Sequence, residues 1–291
     1  MVTPKRDSVA PRVGVVTVSY GSAAVLAPFL DSIRAASTDA VSVVIADNRP
    51  DGEVEAIAKR FGAGYVPMAS NGGYGSGMNA AVAALPDSVE WLLVSNPDVV
   101  LEDGAIDRLV ATGDEDAAIA TVGPVIHNLD GSVYPSARAV PSLRTGVGHA
   151  LFTNFWPANP WTTAYLNDAE PDLRRRDTGW LSGACVLVRR SAFDELGGFD
   201  PGYFMYFEDV DLGYRLGKAG YRNVYEPAAA ITHTGAHSTT SESARMVGVH
   251  HDSARRFLGK KYSRAILWPI RVSLNIGLRV RSAILRRRLQ D

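Results

Sequence analysis

Apolar and polar positions alternate in blocks along the first hundred residues. Val13-Gly14-Val15-Val16-Thr17-Val18-Ser19 is β-branched and nearly continuous, which predicts a buried strand. Ser22 then stands where a helix cap is expected, and Val25, Leu26, Phe29, Leu30 and Ile33 recur at helical spacing. Val41 to Ala46 predicts a second strand, ending at Asp47-Asn48. Glu53 to Arg60 reads as a short helix and Gly64 to Pro67 as a short strand. A glycine-rich loop, Asn71 to Gly77, leads into a helix from Met78 to Leu85. Trp91 to Ser95 is a further buried strand, stopped at Asn96-Pro97-Asp98. Such alternation predicts a parallel, doubly wound α/β sheet with helices on both faces.

In open α/β sheets ligands sit beyond the carboxyl ends of the strands. Those ends here carry Ser19-Tyr20, Asp47-Asn48 and Asn96-Pro97-Asp98, so three polar clusters are expected on one edge. Beyond them the pattern is less regular. Val125 to Arg176, rich in Pro, Trp and Asn, reads as loops around a cleft. Trp180 to Val188 predicts one strand, and Ser191 a cap for a short helix ending at Gly197-Gly198. Tyr206 to Lys218 reads as a helix, Tyr221 to Tyr225 and Ala229 to Thr232 as extended, and the chain from about Ser241 as helical.

Composition narrows the class. An apolar fraction of 46% with 21% charged residues suits a globular protein with a sizeable core. Cys185 is the only cysteine, which excludes an internal disulfide and a Cys-rich zinc site. No signal-peptide core and no run long enough to span a membrane is found. The net charge of -1 hides an asymmetry: 11 Lys/Arg stand against one acid from Arg255 onward, and 19 against 30 before it. That divides the chain into an expected catalytic domain, 1–240, and a basic helical extension, 241–291. A basic tail calls for an anionic partner.

Several residues could carry chemistry. Asp98 follows an apolar strand and a proline, a display that suits a divalent cation bridging to phosphates, or a cap for a helix over Glu102–Val110. Glu208, Asp209 and Asp211 lie among Tyr203, Phe204, Tyr206 and Phe207, where desolvation can raise a carboxyl pKa toward that of a general base. On a helix Glu208 and Asp211 share a face and Asp209 points elsewhere. The plainer reading pairs Asp211 with Arg215 at i,i+4. His233 follows an extended stretch and suits either a metal shell or a structural role. His250 and His251 look like solvated helix positions, and His127 and His149 have no companions. The Asn71–Asn79 loop allows close backbone approach but matches neither a dinucleotide fingerprint nor a Walker loop.

Taken together, Val15 to Tyr20, Asp47-Asn48, Asn71 to Asn79, Asn96-Pro97-Asp98, Gly183 to Arg190, Gly197 to Asp200 and Phe204 to Leu212 resemble the inverting family-2 glycosyltransferases of the GT-A fold. Within them the pattern is similar to rhamnosyltransferases acting on polyprenyl-diphosphate-linked sugars. The resemblance covers about residues 12–240. It implies that Thr17, Ser19, Tyr20, Asp47, Asn48, Asn71, Gly77, Asn79 and Asn96 form the nucleotide-sugar side, and that Trp180, Ser182 and Gly183 line the acceptor side. Asp98 and His233 would hold Mg²⁺ or Mn²⁺. Asp209 would be the base, supported by Glu208 and Asp211. Asn96 departs from the family's Asp-x-Asp pattern. The implied donor is dTDP-rhamnose, with a UDP-sugar as the alternative, and the acceptor a lipid-linked sugar. The implied place is the cytoplasmic face of the plasma membrane, and a homo-oligomer is left open. A metal-dependent phosphoester hydrolase and a non-catalytic nucleotide-sugar-binding protein are the competing classes.

The tail adds one expectation. Arg271, Asn275, Arg279, Ser282 and Arg286 fall on one polar wedge of a helix, and Ile270, Leu274, Leu278, Ile284 and Leu285 occupy much of the remainder. That suits a helix at a membrane surface, or one docked on the core with its basic residues in solvent. No nucleic-acid module accompanies it.

Overall fold

The computed structural model describes residues 10–142, 173–235 and 243–288, with the side chains of 243–244, 270 and 280–288 left out. The first half follows the predicted alternation: β1 (Val13–Ser19), α1 (Ala23–Ala36), β2 (Val41–Asp47), α2 (Glu53–Phe61), β3 (Gly64–Pro67), α3 (Tyr74–Ala83), β4 (Trp91–Ser95), β5 (Val99–Leu101) and α4 (Ala105–Asp114). There follow β6 (Ile119–Asn128), β7 (Val133–Tyr134), β8 (Ala137–Arg138), β9 (Arg176–Thr178), β10 (Trp180–Leu181) and β11 (Cys185–Arg189). Then come α5 (Arg190–Glu195), α6 (Glu208–Lys218), β12 (Arg222–His233), α7 (Ser243–Lys261) and α8 (Trp268–Arg288).

The main sheet runs β3-β2-β1-β4-β11-β6-β12-β5. Pairs β3–β2, β2–β1, β1–β4 and β6–β12 are parallel, while β11 and β5 run antiparallel to their neighbours. Alternate strand residues feed opposite faces. Val15, Ile45 and Leu93 pack under Leu26, Phe29 and Ile33 of α1 and Leu109 of α4. Val16, Val44 and Val94 pack against Met78 and Ala81 of α3 and Leu216 of α6. Phe29, Met78 and Leu93 are fully buried, each stabilising the fold by ~1.5–3 kcal/mol.

Four readings need correction. Ser22 and Ser191 make no side-chain caps; Ser191 lies inside α5. Asp98 caps nothing, because β5 follows it directly and α4 begins only at Ala105, after Gly104. Part of the supposed loop region is β6, a strand buried through Ile126. The expected strand from Trp180 to Val188 breaks in two: β10 joins β8 in a separate two-stranded sheet, and β11 enters the main sheet.

Candidate functional site

The three polar clusters do converge. Ser19 pairs in register with Asp47, and Thr17 lies between Ile45 and Ser95, so β1, β2 and β4 end together. Asp47 is fully buried; it accepts from the Tyr65 hydroxyl at 3.1 Å and from the Arg49 N–H at 3.1 Å. Burial, followed by the Asp47 charge, raises the Tyr65 phenol to about 12. The Ser19 hydroxyl accepts from the Ser22 N–H. Tyr20 is exposed, with the Arg49 guanidinium 5.4 Å from its ring centre. Arg49 went unnoticed in sequence; its signal was a cation directly after the Asp47-Asn48 strand end.

The glycine loop faces protein rather than open space. Gly73 takes φ +88°, and a Cβ there would lie 1.9 Å from the Phe204 carbonyl oxygen. A Cβ on Gly77 would lie 2.7 Å from Val18, so Gly77 lets α3 pack on β1. Asn79 donates to the Phe199 carbonyl at 2.8 Å and accepts from its N–H at 3.0 Å. Gly77 and Asn79, expected on the nucleotide side, thus also make structural contacts, with β1 and with the Phe199 backbone. Asn71 accepts from the Gly73 N–H, and Asn48 donates to the Gly73 carbonyl, so both shape the loop.

The break between β10 and β11 creates the junction of the site. In the Ser182-Gly183-Ala184 turn, the Gly183 N–H donates to Asp209 Oδ2 at 3.0 Å, and the Ala184 carbonyl accepts from the Asn96 N–H at 2.9 Å. One turn therefore holds the Asp209 carboxylate and the Asn96-Pro97-Asp98 segment. The Tyr74 hydroxyl closes the arrangement by donating to the Gly183 carbonyl at 2.6 Å. Burial raises the Tyr74 phenol well above its usual value, and the charges of Glu208, Asp209 and Asp98 add to it. Ser182 accepts from the Ala184 N–H and braces the turn. Trp180, half-buried, donates its indole N–H to the Ala139 carbonyl and packs with Tyr203, Val210 and Phe257.

At the β4 end, the His233 Nε2 lies 3.1 Å from Asp98 Oδ1 and 3.3 Å from Asn96 Nδ2. The antiparallel pairing of β12 with β5 sets His233 opposite Val99. Thr234 N–H and hydroxyl both donate to the Asp98 carbonyl. Among the described residues no group of three or more His, Cys, Asp or Glu forms a metal cage. One carboxylate and one imidazole fit a cation that takes its other ligands from substrate diphosphate and water, as Mg²⁺ commonly does.

The acidic cluster divides differently from the helical expectation. Glu208 and Asp209 interact with each other, and Asp211 turns away. Burial, then the Asp209 charge, pushes Glu208 up to about 8. Burial also raises Asp209, against the N–H groups of Gly183 and Val210. Asp211, fully buried, pairs with Arg215 at 2.6 Å and Lys260, and accepts from Tyr203 at 3.3 Å. It anchors α6 from within the core. Tyr206 and Phe207, with φ 66° and 69°, enter α6 in the left-handed region, a strain of ~1–3 kcal/mol each. The ring of His250 packs edge-on against both, and Ser253 donates to the Met205 carbonyl. His250 is exposed on its helix, as expected, whereas His251 is buried and bonds the Val247 carbonyl. His149 lies outside the described residues.

The model for the family described as "Glycosyltransferase like family 2" matches residues 11–248. This chain belongs to glycosyltransferase family 2. The family-2 assignment makes it a sugar-transferring enzyme, in accord with its relatives. It is 44% identical over 283 residues to the N-acetylglucosaminyl-diphospho-decaprenol L-rhamnosyltransferase of Mycobacterium tuberculosis, covering 93% of this chain and 92% of that one. It is 27% identical over 256 residues to the rhamnosyltransferase WbbL of Escherichia coli K12, covering 85% and 92%. The fold matches a Pyrobaculum calidifontis mannosyltransferase in complex with GDP-Man and Mn²⁺, with a TM-score of 0.59 at 15% identity over 92% of this chain and 70% of that one. It also matches GalNAc-T7 with UDP, GalNAc and Mn²⁺, with a TM-score of 0.53 at 16% identity over 79% and 44%. The family-2 enzyme therefore has the expected GT-A fold, a mostly parallel sheet with helices on both faces.

Proposed function

We propose that this enzyme transfers L-rhamnose from dTDP-rhamnose, with inversion, to a sugar carried on a polyprenyl diphosphate, at a membrane surface facing the cytoplasm. The relative that is 44% identical over nearly the full length supports the sugar and the acceptor class. The observation that carries a ligand-binding cleft is the set of buried, unpartnered oxygens. Among the described residues the buried side-chain oxygens without a hydrogen-bond partner are Thr17 Oγ1, Asn48 Oδ1 and Glu208 Oε2. All three belong to the candidate site, and buried polar atoms of this kind are expected to meet a ligand or ordered water.

Asp47, Asn48 and Thr17 at the β1–β2 ends hold the base and ribose, with Arg49 and Tyr20 beside them. Asp98 and His233 would hold the cation, which would supply positive charge to offset that of the diphosphate leaving group. The Gly183 N–H aims the Asp209 carboxylate. The acceptor hydroxyl oxygen attacks the anomeric carbon as the bond from that carbon to the diphosphate oxygen breaks, and Asp209 takes the hydroxyl proton. A single displacement inverts the anomeric centre. Burial leaves Asp209 more basic than a solvated aspartate, which suits proton abstraction near neutral pH.

The test is a thermal-shift panel of dTDP- and UDP-sugars with Mg²⁺ or Mn²⁺, followed by transfer assays with and without acceptor. Selective stabilisation by dTDP-rhamnose and acceptor-dependent release of dTDP are expected. Selective stabilisation by a UDP-sugar would reassign the donor. Release without acceptor would indicate a hydrolase, and binding without turnover a carrier.

A further inference from the structure

The described part of the basic wedge is split: Arg271 and Asn275 turn partly inward while Arg279 stays exposed. Arg271, Asn275, Leu274 and Leu278 of α8 are all half-buried. They line a groove of about 610 Å³ together with Arg255 and Leu258 of α7. That volume falls in the ~300–1,000 Å³ range of small-molecule sites. The groove's chemistry is mixed: leucines on its walls, with the guanidinium groups of Arg255, Arg271 and Arg279 beside them. Arg255 pairs through Nη1 with Asp252 at 2.8 Å, while its buried Nε has no acceptor. The same groove is also lined by an apolar stripe of α8 at four-residue spacing that stays exposed: Trp268 at 60%, Val272 at 46% and Ile276 at 57%, with Ile266 at 84% just before it.

We propose that α7 and α8 form a membrane-docking unit: the Trp268-Val272-Ile276 stripe enters the lipid, and Arg255, Arg271 and Arg279 take the phosphates of anionic lipid headgroups. This rests on the membrane-surface reading above and names the residues and the lipid chemistry. Charge selects the occupant. Residues 264–288 hold seven arginines and no acid. A second copy would bring an equally positive helix against this face, a like-charge contact that opposes association. A nucleic acid would satisfy the arginines but leave the apolar stripe in water. A lipid surface satisfies both, with the indole of Trp268 at the boundary between them. No described helix is long and apolar enough to cross a membrane. The docked face is also tied to the chemistry. Lys260 of α7 bridges Asp200 and Asp211, and Ser253 holds the Met205 carbonyl just before α6. Binding through α8 would thus present the Glu208–Asp209 end of α6 at a set orientation to a lipid-borne acceptor.

The experiment is sedimentation of the full chain with vesicles of phosphatidylcholine, alone or mixed with phosphatidylglycerol. The parent should bind the anionic vesicles at least ~10-fold more tightly, as expected for several basic residues at an anionic surface. Trp268→Ser/Ile276→Ser and Arg271→Gln/Arg279→Gln should each weaken that binding by at least ~10-fold with circular dichroism unchanged. Their transfer to a water-soluble acceptor should stay at the parent rate. Equal binding to both vesicle types, or either variant binding as the parent does, overturns the proposal. So does a parent dimer that Trp268→Ser dissolves, which would assign the stripe to a second copy. Lipid binding without any transfer would retire the transferase reading and leave the docking unit standing.

Discussion

Lys260 Nζ lies 2.5 Å from Asp211 Oδ1, joining the first helix of the C-terminal extension to the helix that opens with Glu208 and Asp209. Asp211 has no solvent exposure, so its charge depends on that lysine together with Arg215. Lys260→Met leaves Arg215 and Tyr203 in place but removes one of two cations. A loss of about 1–3 kcal/mol is expected in urea unfolding, less than for a buried ion left wholly unpaired. A chain ending at residue 240 should lose more, because Phe257 and Ser253 leave with Lys260. Equal stability of that truncated chain would restore the extension as an independent appendage.

Asp209→Asn keeps the shape of the side chain and removes the base. Transfer should fall at least ~100-fold while donor affinity holds. Turnover near the parent rate would take Asp209 out of the role.

Asp98→Ala and His233→Ala remove the two atoms that meet at 3.1 Å. Both variants should lose the gain in donor affinity that Mg²⁺ or Mn²⁺ confers on the parent, as read by calorimetry with and without EDTA. An unchanged metal-dependent gain in both would move the cation elsewhere.

Glu208 binds its proton more tightly folded than unfolded, with a pKa of about 8 against an ordinary 4.5. The sign follows from proton binding: between about 4.5 and 8 the folded chain holds the extra proton, so stability falls as pH rises through that window. Glu208→Gln should flatten that slope and leave the variant less sensitive than the parent on approach to pH 8. Glu208 is already neutral over that window, so the same substitution leaves Asp209 beside an uncharged neighbour, and the rising limb of the transfer rate should stay where it is in the parent. A limb that moves to lower pH would show that Glu208 is charged while Asp209 titrates.

Asn79→Ala breaks both bonds to the Phe199 backbone. A loss of about 1–3 kcal/mol in stability is expected, with the donor KM unchanged once the protein is folded. A raised KM at full stability would give Asn79 a nucleotide-side role besides the structural one.

Much of this was legible along the chain. Continuous β-branched runs and helical periodicity place β1, α1, β2 and β4, because burial of each element against a sheet demands a local pattern. The strand-end rule then marks Ser19, Asp47 and Asn96-Pro97-Asp98 as one edge, and the register of β1 with β2 and β4 agrees. The long separations were decided by tertiary structure. Asn79 reaches Phe199 across 120 residues, Gly183 reaches Asp209 across 26, and Asn96 reaches His233 across 137. No local pattern encodes such partners: a buried amide or carboxylate takes whichever complementary group the packing brings to it. Periodicity on α8 likewise separates its basic from its apolar residues but cannot say which face meets α7. That choice left the arginine-lined groove half-buried and the Trp268 stripe exposed, because packing against α7, not hydropathy alone, set the rotation of the helix.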